Sequence, residues 1–279
     1  PDRIYAQPAL HWFYGVGAGH VIPYASMQAA QPPEKTRDIS MVWSGKTERH
    51  TLHNRRAEFM RRIRAALPGL DVYGRGVREI YLSADEFNVE ERWALEVCRA
   101  IESLGLRDLF LNCNLRPGVV TAALAAAFRR VNLWVAHLGI ESGNRRTLEG
   151  VGKGVTPEVI ERDCRVLKSE GVRVFGFVML YHAWEEGGEL RWETPDDVDG
   201  TLAFCRRLFK RGLLDYISWQ VSTPMPGSRL WETARRHGLL PGREIRSVFE
   251  MNLMLPGLRS ADVRRSLRAR PSGQPAQLH

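Results

Sequence analysis

Polar side chains follow the apolar segments of this 279-residue chain at positions suited to ligand binding. The clearest example comes after the apolar run at residues 133–138, where Glu141, Ser142 and Asn144 stand close together. A carboxylate, a hydroxyl and an amide at this spacing can hydrogen bond to a polar small molecule. The alternative interpretation is a strand-to-helix turn whose polar residues cap the next helix. This stretch alone does not choose between the two.

Two alternating periodicities predict the elements that would position these residues. Short apolar runs predict strands at residues 79–83, 109–112, 133–140, 172–180 and 216–221. Segments with one apolar helical face predict helices at residues 89–104, 119–130, 156–170, 194–210 and 229–237. Strands that alternate with helices in this way are expected to be parallel and joined by right-handed crossovers. Residues 181–193, rich in Glu and Trp, are predicted to form a loop.

A further strand predicted at residues 39–43 brings the count to six strand–helix units. We therefore predict an α/β fold, a partial (β/α)6 barrel of parallel strands with outer helices. No G-x-G-x-x-G fingerprint opens the series, which disfavours a dinucleotide-binding doubly wound sheet. The predicted regions are an irregular arm (1–34), a strand–helix–strand unit (35–77), the partial barrel (78–240), and a C-terminal extension (241–279) of short apolar pieces ending in a disordered tail.

Composition indicates a globular protein that works in the cytoplasm without a membrane partner. The chain is 44% hydrophobic and 26% charged, and no apolar run approaches the ~20 residues of a membrane helix. The net charge of +8 comes mostly from arginines on predicted helices. We interpret these arginines as solvated helix faces, with a nucleic-acid surface as the disfavoured alternative.

The thiols and histidines provide no metal site in the sequence. The four cysteines, Cys98, Cys113, Cys164 and Cys205, belong to no CxxC or CxxxCxxC cluster. We expect them to be reduced and mostly buried. His137 lies in an apolar strand and is predicted to be a core histidine with its hydrogen bonds satisfied, whereas the sequence leaves the role of His182 undecided.

Five stretches between residues 78 and 240 carry a family resemblance. They are REIYLSADEF (78–87), LNCNLR (111–116), LGIESGN (138–144), GVRVFGFVML (171–180) and TPMPGS (223–228). In this order they resemble the core of radical S-adenosylmethionine (SAM) enzymes, of the type that often carries a cobalamin-binding domain. The resemblance implies that strand-end polar groups bind SAM. It places Ser83 and Asp85 near the methionine end, Asn112, Asn114 and Arg116 along the pocket, and Glu141 and Ser142 at the ribose or carboxylate. Turn formation and helix capping remain the alternative for Asp85 and Asn112.

The chain departs from that family at its metal cofactor. Radical SAM enzymes hold a [4Fe-4S] cluster through a CxxxCxxC loop before the first matched stretch, yet residues 1–77 contain no cysteine. Three thiolates are needed to hold such a cluster with one iron left for SAM. We therefore expect no cluster on this chain, and no cobalamin-binding domain is recognisable. The resemblance assigns no catalytic residue and no substrate.

A second resemblance covers residues 35–76. A strand that ends in Ser44-Gly45-Lys46, a basic helix from Arg55 and the sequence DVYGRG (71–76) resemble the donor domain of fucosyltransferase-like glycosyltransferases. This resemblance implies that Lys46, Arg55 and Arg75 contact a sugar-nucleotide diphosphate. Our leading hypothesis is a radical SAM family protein that is truncated or fused and lacks its own cluster ligands. The alternatives are a glycosyltransferase fragment and a non-catalytic module that binds nucleic acid or a protein.

Overall fold

A computed structural model describes residues 78–82, 84, 86–225, 228–242 and 251–268 of the chain. The irregular arm, the strand at residues 39–43 and the glycosyltransferase-like unit lie outside the described residues. The same holds for Lys46, Arg55 and Arg75, whose assignments stay predictions. The tail beyond residue 268 also lies outside the described part.

Five parallel strands form the central sheet in the order of the sequence. They are β1 (Glu79–Leu82), β2 (Phe110–Leu115), β3 (Leu133–Glu141), β4 (Arg173–Leu180) and β7 (Tyr216–Val221). Between β4 and β7, β5 (Ala183–Glu186) and β6 (Glu189–Trp192) form a separate hairpin. Each strand pairs with the next one in the order β1-β2-β3-β4-β7. Successive parallel strands joined by helices are the arrangement of a partial (β/α) barrel. The predicted α/β fold is therefore confirmed for five of its six units.

Helices connect the strands, and five of them begin at side-chain caps. They are α1 (Glu91–Glu102), α2 (Ala122–Arg130), α3 (Arg145–Gly150), α4 (Pro157–Ser169), α5 (Pro195–Lys210), α6 (Arg229–Arg236) and α7 (Ser260–Arg268). Thr121, Thr156 and Thr194 each accept a hydrogen bond from a backbone N–H in the first turn. Caps of this kind stabilise a helix by about 1 kcal/mol. They also explain why the sequence locates these helix starts closely. No helix in the described part of the chain is long and apolar enough to span a membrane.

The two faces of the sheet have different environments, as β4 shows. Val174, Val178 and Leu180 are buried in the core that the sheet forms with the helices. The alternate residues Phe175 and Phe177 are half-buried on the opposite side. We call that side the inner face, because it would face the axis of a closed barrel. Its polar and aromatic residues include Tyr81, Asn112, Asn114, His137, Phe175, Phe177 and Tyr216.

The prediction of a loop at residues 181–193 is wrong, because this segment contains the antiparallel hairpin β5–β6. Gly187 and Gly188, both at positive φ (59° and 84°), form its turn. Two glycines allow the left-handed backbone that tight hairpins require. Trp184 is buried, and a Cβ on Gly150 of α3 would lie 2.3 Å from its ring, so the hairpin packs closely on α3.

The C-terminal extension contains a helix that the sequence analysis did not predict. Leu253, Leu255 and Val263 are buried in the main core, and α7 covers residues 260–268. The hydroxyls of Tyr181 and Ser266 lie 2.7 Å apart and connect α7 to the end of β4. Short apolar pieces in this region are therefore parts of the same core.

Candidate functional site

Four charged residues are connected at the carboxyl ends of β1, β2 and β3. Arg116 follows β2, and its Nη1 lies 3.4 Å from Oε2 of Glu86. Its Nη2 donates to the backbone carbonyl of Lys153 at 3.3 Å. The ammonium of Lys153 donates in turn to Oε1 of Glu141 at 3.0 Å. We call these four residues the rim network, because they lie where ligands bind in parallel α/β folds.

The backbone at Arg116 is fixed by a buried amide. Oδ1 of Asn88 accepts the N–H of Arg116 at 2.7 Å, and Nδ2 of Asn88 donates to the carbonyl of Arg116 at 2.8 Å. Asn88 is fully buried, so both bonds form away from water and hold the strand end firmly. Sequence reasoning missed Asn88, although its position just after the first matched stretch was a usable signal.

Glu141 ends β3 in an unusual backbone conformation. Its φ is +61°, and the register between β3 and β4 shifts between Gly139 and Glu141. A left-handed backbone is costly for a residue with a Cβ and is concentrated at functional sites. Gly139 has a steric role here, since a Cβ on it would lie 2.9 Å from Nζ of Lys153. The end of β3 is therefore shaped around the ion pair of Glu141 and Lys153.

Lys153 was not among the predicted site residues. It lies between Gly152 and Gly154, which both have positive φ (71° and 74°). The side chains of Lys153 and Glu141 are 16% and 19% exposed. Because this ion pair is only partly hydrated, it is strengthened relative to a surface pair yet still open to a ligand. The Gly-Lys-Gly sequence at residues 152–154, in the connection that follows β3 and α3, was the signal that could have identified this lysine.

Ser142 points into a different, fully internal cluster. Its Oγ lies 2.9 Å from both Oε1 of Glu193 and Oγ1 of Thr201. The N–H of Gly143 donates to the same oxygen of Thr201 at 3.0 Å, and Oε2 of Glu193 accepts the N–H of His182 at 3.0 Å. We call Ser142, Glu193 and Thr201 the turn network. All three are buried, and the network joins the turn after Glu141 to the hairpin and α5. The proposed contact of Ser142 with a ligand stays a prediction.

Asn144 caps α3, which is the alternative that the sequence left open for this residue. Its Oδ1 accepts the N–H of Thr147 at 3.3 Å, and its Nδ2 donates to Asp197 at 2.8 Å. Asp197 itself belongs to the capping box that begins α5. One amide therefore connects the starts of two helices near the site.

The two predicted asparagines of β2 lie on the inner face at different depths. Oδ1 of Asn114 accepts the hydroxyl of Tyr81 at 2.5 Å, and its Nδ2 donates to the carbonyl of Ala84 at 3.3 Å. Asn112 is nearer the amino ends of the strands, where it donates to Glu79 at 3.1 Å. Because Asn112 lies inside β2, turn formation and helix capping do not explain it. Among the described residues, neither asparagine side chain hydrogen bonds to the rim network.

Two of the predicted contacts lie outside the described residues, and His182, whose role the sequence left undecided, has its partners outside the rim network. Ser83 and Asp85 fall outside the described residues, so their assignment to the methionine end of SAM stays a prediction. His182 is buried, with Nδ1 3.2 Å from Oγ of Ser222. Of the seven predicted contacts, the structure brings Arg116 and Glu141 into one connected network through Lys153.

His137 lies in an aromatic cluster of the inner face, formed with Tyr81, Phe175, Phe177 and Tyr216. The imidazole stacks on Phe175 with ring centroids 5.0 Å apart, and it meets Tyr81 edge-on at 5.4 Å. Burial lowers the pKa of His137 to about 4. The prediction that His137 is buried is confirmed, but Nδ1 has no hydrogen-bond partner among the described residues. Within the described residues, the expected hydrogen bond is therefore not found at Nδ1.

The four cysteines are buried as free thiols, as predicted. Burial raises the pKa of Cys98 and Cys164 to about 12 and raises those of Cys113 and Cys205 as well. High pKa values keep thiols protonated, whereas iron ligation requires thiolates. Within the described ranges, no three Cys, His, Asp or Glu side chains are grouped to hold a metal ion. These residues therefore do not fit a [4Fe-4S] cluster.

Comparison with known proteins supports the fold of the described core. No protein-family model matches the chain. An uncharacterized methyltransferase of Pyrococcus horikoshii is 29% identical over 169 residues, which cover 60% of this chain and 34% of the relative. The chain thus spans about a third of the length of this curated relative.

Solved structures add the identity of the fold. The radical SAM methyltransferase TsrM from Kitasatospora setae, solved with cobalamin and a [4Fe-4S] cluster, gives a TM-score of 0.50 at 16% identity over 70% of this chain and 38% of TsrM. The radical SAM enzyme coproporphyrinogen III oxidase from Escherichia coli gives 0.43 at 13% identity over 62% of this chain and 36% of the oxidase. The core has a radical SAM-like fold, which confirms that resemblance, whereas the glycosyltransferase resemblance stays a prediction.

Proposed function

We propose that this chain binds SAM at its rim network, as part of a methyltransferase of the radical SAM type. The observation that carries the proposal is the connected arrangement of Arg116, Lys153 and Glu141 at the carboxyl rim of a radical SAM-like sheet. The curated relative named as a methyltransferase supports the reaction class. The fold shared with TsrM supports the cofactor.

The chemistry of the rim network matches the amino-acid end of SAM. That end has one ammonium and one carboxylate, and the network offers two carboxylates and two cations. Glu141 or Glu86 can accept hydrogen bonds from the ammonium. Arg116 and Lys153 can donate to the carboxylate, and charge-assisted bonds of this type contribute about 1.5–3 kcal/mol each.

The chain binds SAM in this proposal without a cluster of its own. A [4Fe-4S] cluster supplies the electron that cleaves SAM in radical SAM enzymes. The buried, protonated thiols of this chain do not fit such a cluster, and its sequence contains no CxxxCxxC motif. What the residues of this chain do is bind SAM and orient it at the rim. The turn network holds Glu141 in position for that role through Ser142.

Calorimetric titration with SAM tests the proposal. Glu141→Gln and Arg116→Gln are each expected to weaken SAM binding by about tenfold or more, because each removes a charge-assisted bond. Arg129→Gln is the matched control, because Arg129 lies on α2 with 71% of its side chain exposed. The affinity of this variant for SAM should equal that of the unaltered chain.

A second ligand identifies which end of SAM the rim network holds. Methylthioadenosine keeps the nucleoside but lacks the charged amino-acid group, so it should bind more weakly than SAM and be insensitive to Glu141→Gln. If the unaltered chain does not bind SAM, or if both rim variants bind it with unaltered affinity, the proposal is wrong.

A further inference from the structure

We infer that the outer surface of α4, together with the carboxyl end of α5, binds the phosphate backbone of nucleic acid. The binding surface consists of six exposed cations, which we call the basic patch: Arg162, Arg165, Arg206, Arg207, Lys210 and Arg211. The patch lies on the outer helices, so the inference goes beyond SAM binding at the rim and does not depend on it. The sequence analysis disfavoured a nucleic-acid surface, because a sequence does not show which arginines fold together.

Three guanidinium groups from two helices surround one carboxylate at the centre of the basic patch. Oε1 of Glu161 on α4 accepts a hydrogen bond from Nη2 of Arg165 at 2.7 Å and another from Nη1 of Arg211. Nε of Arg207 lies 4.0 Å from Oε2 of the same carboxylate. The side chain of Glu161 is 17% exposed, whereas those of the three arginines are 47–55% exposed. The carboxylate is therefore largely covered, and the cations stay open to solvent.

The basic patch has more positive charge than its own carboxylates neutralise. Residues 161–165 and 206–211 contain six cations and two carboxylates, so they provide four of the eight net positive charges of the chain. The second carboxylate, Asp163, is fully buried and accepts hydrogen bonds from Arg162 at 2.9 and 2.6 Å. Like charges at such short range repel each other. A polyanion bound across the patch would relieve this repulsion, and the surplus charge would steer it to the surface.

Stabilisation of helix ends explains only part of this arrangement. Cations near the carboxyl end of a helix interact favourably with its dipole, and Arg207 and Lys210 lie in the last turn of α5. Arg165 lies before the last turn of α4, where this benefit is small. A single cation would neutralise Glu161, yet three surround it. An external anion accounts for the two cations in excess.

Guanidinium groups are well suited to phosphate, because their planar N–H donors can bond to two oxygens at once. Each guanidinium has five N–H donors, and the hydrogen bonds to Glu161 use only some of them. The guanidinium carbon of Arg207 also lies 5.1 Å from the ring centre of the buried Phe204. These contacts hold the arginines in place before a ligand arrives, so they lose less conformational freedom when a phosphate binds.

The character of this surface favours nucleic acid over a membrane. In the part of the chain that the structure describes, no large apolar side chain of α4 or α5 is exposed. Helices that lie on a bilayer bury an apolar face beside their cations, and single-strand binding uses exposed aromatic rings that stack on bases. Binding at the basic patch is therefore expected through the backbone, without dependence on base sequence.

Fluorescence anisotropy with labelled DNA and RNA duplexes tests the basic patch in the full chain, without SAM. Arg165→Gln combined with Arg211→Gln should weaken DNA binding about tenfold at low salt. The slope of log Kd against the logarithm of salt concentration should fall by about two, because two phosphate contacts are lost. Two duplexes of unrelated sequence should bind equally well.

Arg92→Gln combined with Arg235→Gln is the matched control, because it removes the same charge away from the basic patch. Arg92 pairs with a glutamate of its own helix α1, and Arg235 does so in α6. The affinity of this control for DNA and its salt dependence should stay close to those of the unaltered chain. If the control weakens binding as much as the patch variant does, overall charge is responsible and the inference is overturned.

Chemical modification of the unaltered chain keeps the test decisive if the patch variant does not fold. Bound DNA should protect Arg165 and Arg211, but not Arg92, from phenylglyoxal, as measured by mass spectrometry. The inference is also overturned if neither duplex binds saturably, or if vesicles of anionic phospholipid bind through the patch and the duplexes do not. A chain that binds DNA through the patch but does not bind SAM would overturn only the proposed function.

Discussion

The substitution Thr201→Val tests whether the turn network holds the end of β3 in place. Oγ1 of Thr201 accepts the N–H of Gly143 at 3.0 Å and lies 2.9 Å from the hydroxyl of Ser142. Valine has nearly the same shape, so it removes both hydrogen bonds without opening a cavity. We expect the free energy of unfolding to fall.

The size of the destabilisation in Thr201→Val follows from the polar groups that lose a hydrogen-bond partner. Thr201 is fully buried, so the N–H of Gly143 would lose its partner in a site closed to water, at a cost of about 1–3 kcal/mol. Ser142 keeps its bond to Glu193, which limits the further loss to about 1 kcal/mol. The added methyl group offsets about 1 kcal/mol. We therefore expect a net destabilisation of about 2 kcal/mol.

Urea unfolding followed by circular dichroism measures this difference. A loss of about 2 kcal/mol lowers the midpoint by about 1 M when the slope is near 2 kcal/mol/M, and the slope should stay unchanged. Thr147→Val is the matched control. Thr147 is also buried, but its hydroxyl has no hydrogen-bond partner among the residues that the structure describes. That variant should be as stable as the unaltered chain or more stable.

Equal midpoints for the two variants would refute the reasoning, because the variants differ in the hydrogen bonds that the hydroxyl makes. Thr201→Val should also weaken SAM binding if the turn network positions Glu141. A destabilised variant that keeps full affinity for SAM would show that the network supports the fold without orienting the rim.

Two further predictions concern stability. The pKa of His137 falls from 6.5 to about 4 on folding, so the unfolded chain binds the proton first, and stability should be lost as the pH falls from 6.5 through 4. The loss reaches about 3 kcal/mol in urea unfolding and should be absent in His137→Phe; an unchanged pH profile in that variant would contradict this. A Cβ on Gly143 would lie 2.5 Å from Cβ of Phe204, so Gly143→Ala should cost about 1–3 kcal/mol. Gly200→Ala on α5, where nothing lies within 4 Å, should stabilise the chain by about 0.5–1 kcal/mol; equal effects of the two alanines would refute the clash.

The elements that the sequence predicted well are those with strong local signals. The strand at residues 216–221 and the helices after Thr156 and Thr194 have apolar periodicity or a cap that a short window reveals. The hairpin β5–β6 has weaker signals, because its buried residues Ala183 and Trp184 are adjacent instead of alternating. Its stability depends on packing against α3, which is a tertiary contact that a sequence window does not contain.

The same limit explains why only part of the rim network was predicted. Arg116 and Glu141 stand at strand ends, where parallel topology gathers residues that are distant in sequence. Lys153 follows α3 and contacts Glu141 only because the chain returns to the end of β3 after that helix. Its location depends on the path of a connection, and apolar periodicity carries no information about that path.

The pair Glu141-Ser142 shows how neighbouring residues can have opposite roles. The sequence analysis assigned both to the same part of SAM. In an extended backbone, consecutive side chains point to opposite sides, and here the chain also bends at Glu141 through its positive φ. The carboxylate consequently bonds to Lys153 at the rim, whereas the hydroxyl bonds to Glu193 and Thr201 in the interior. If Glu141 contacts SAM, Ser142 acts on the same ligand through the backbone that it anchors, and Ser142→Ala should weaken SAM binding only as far as it loosens that turn.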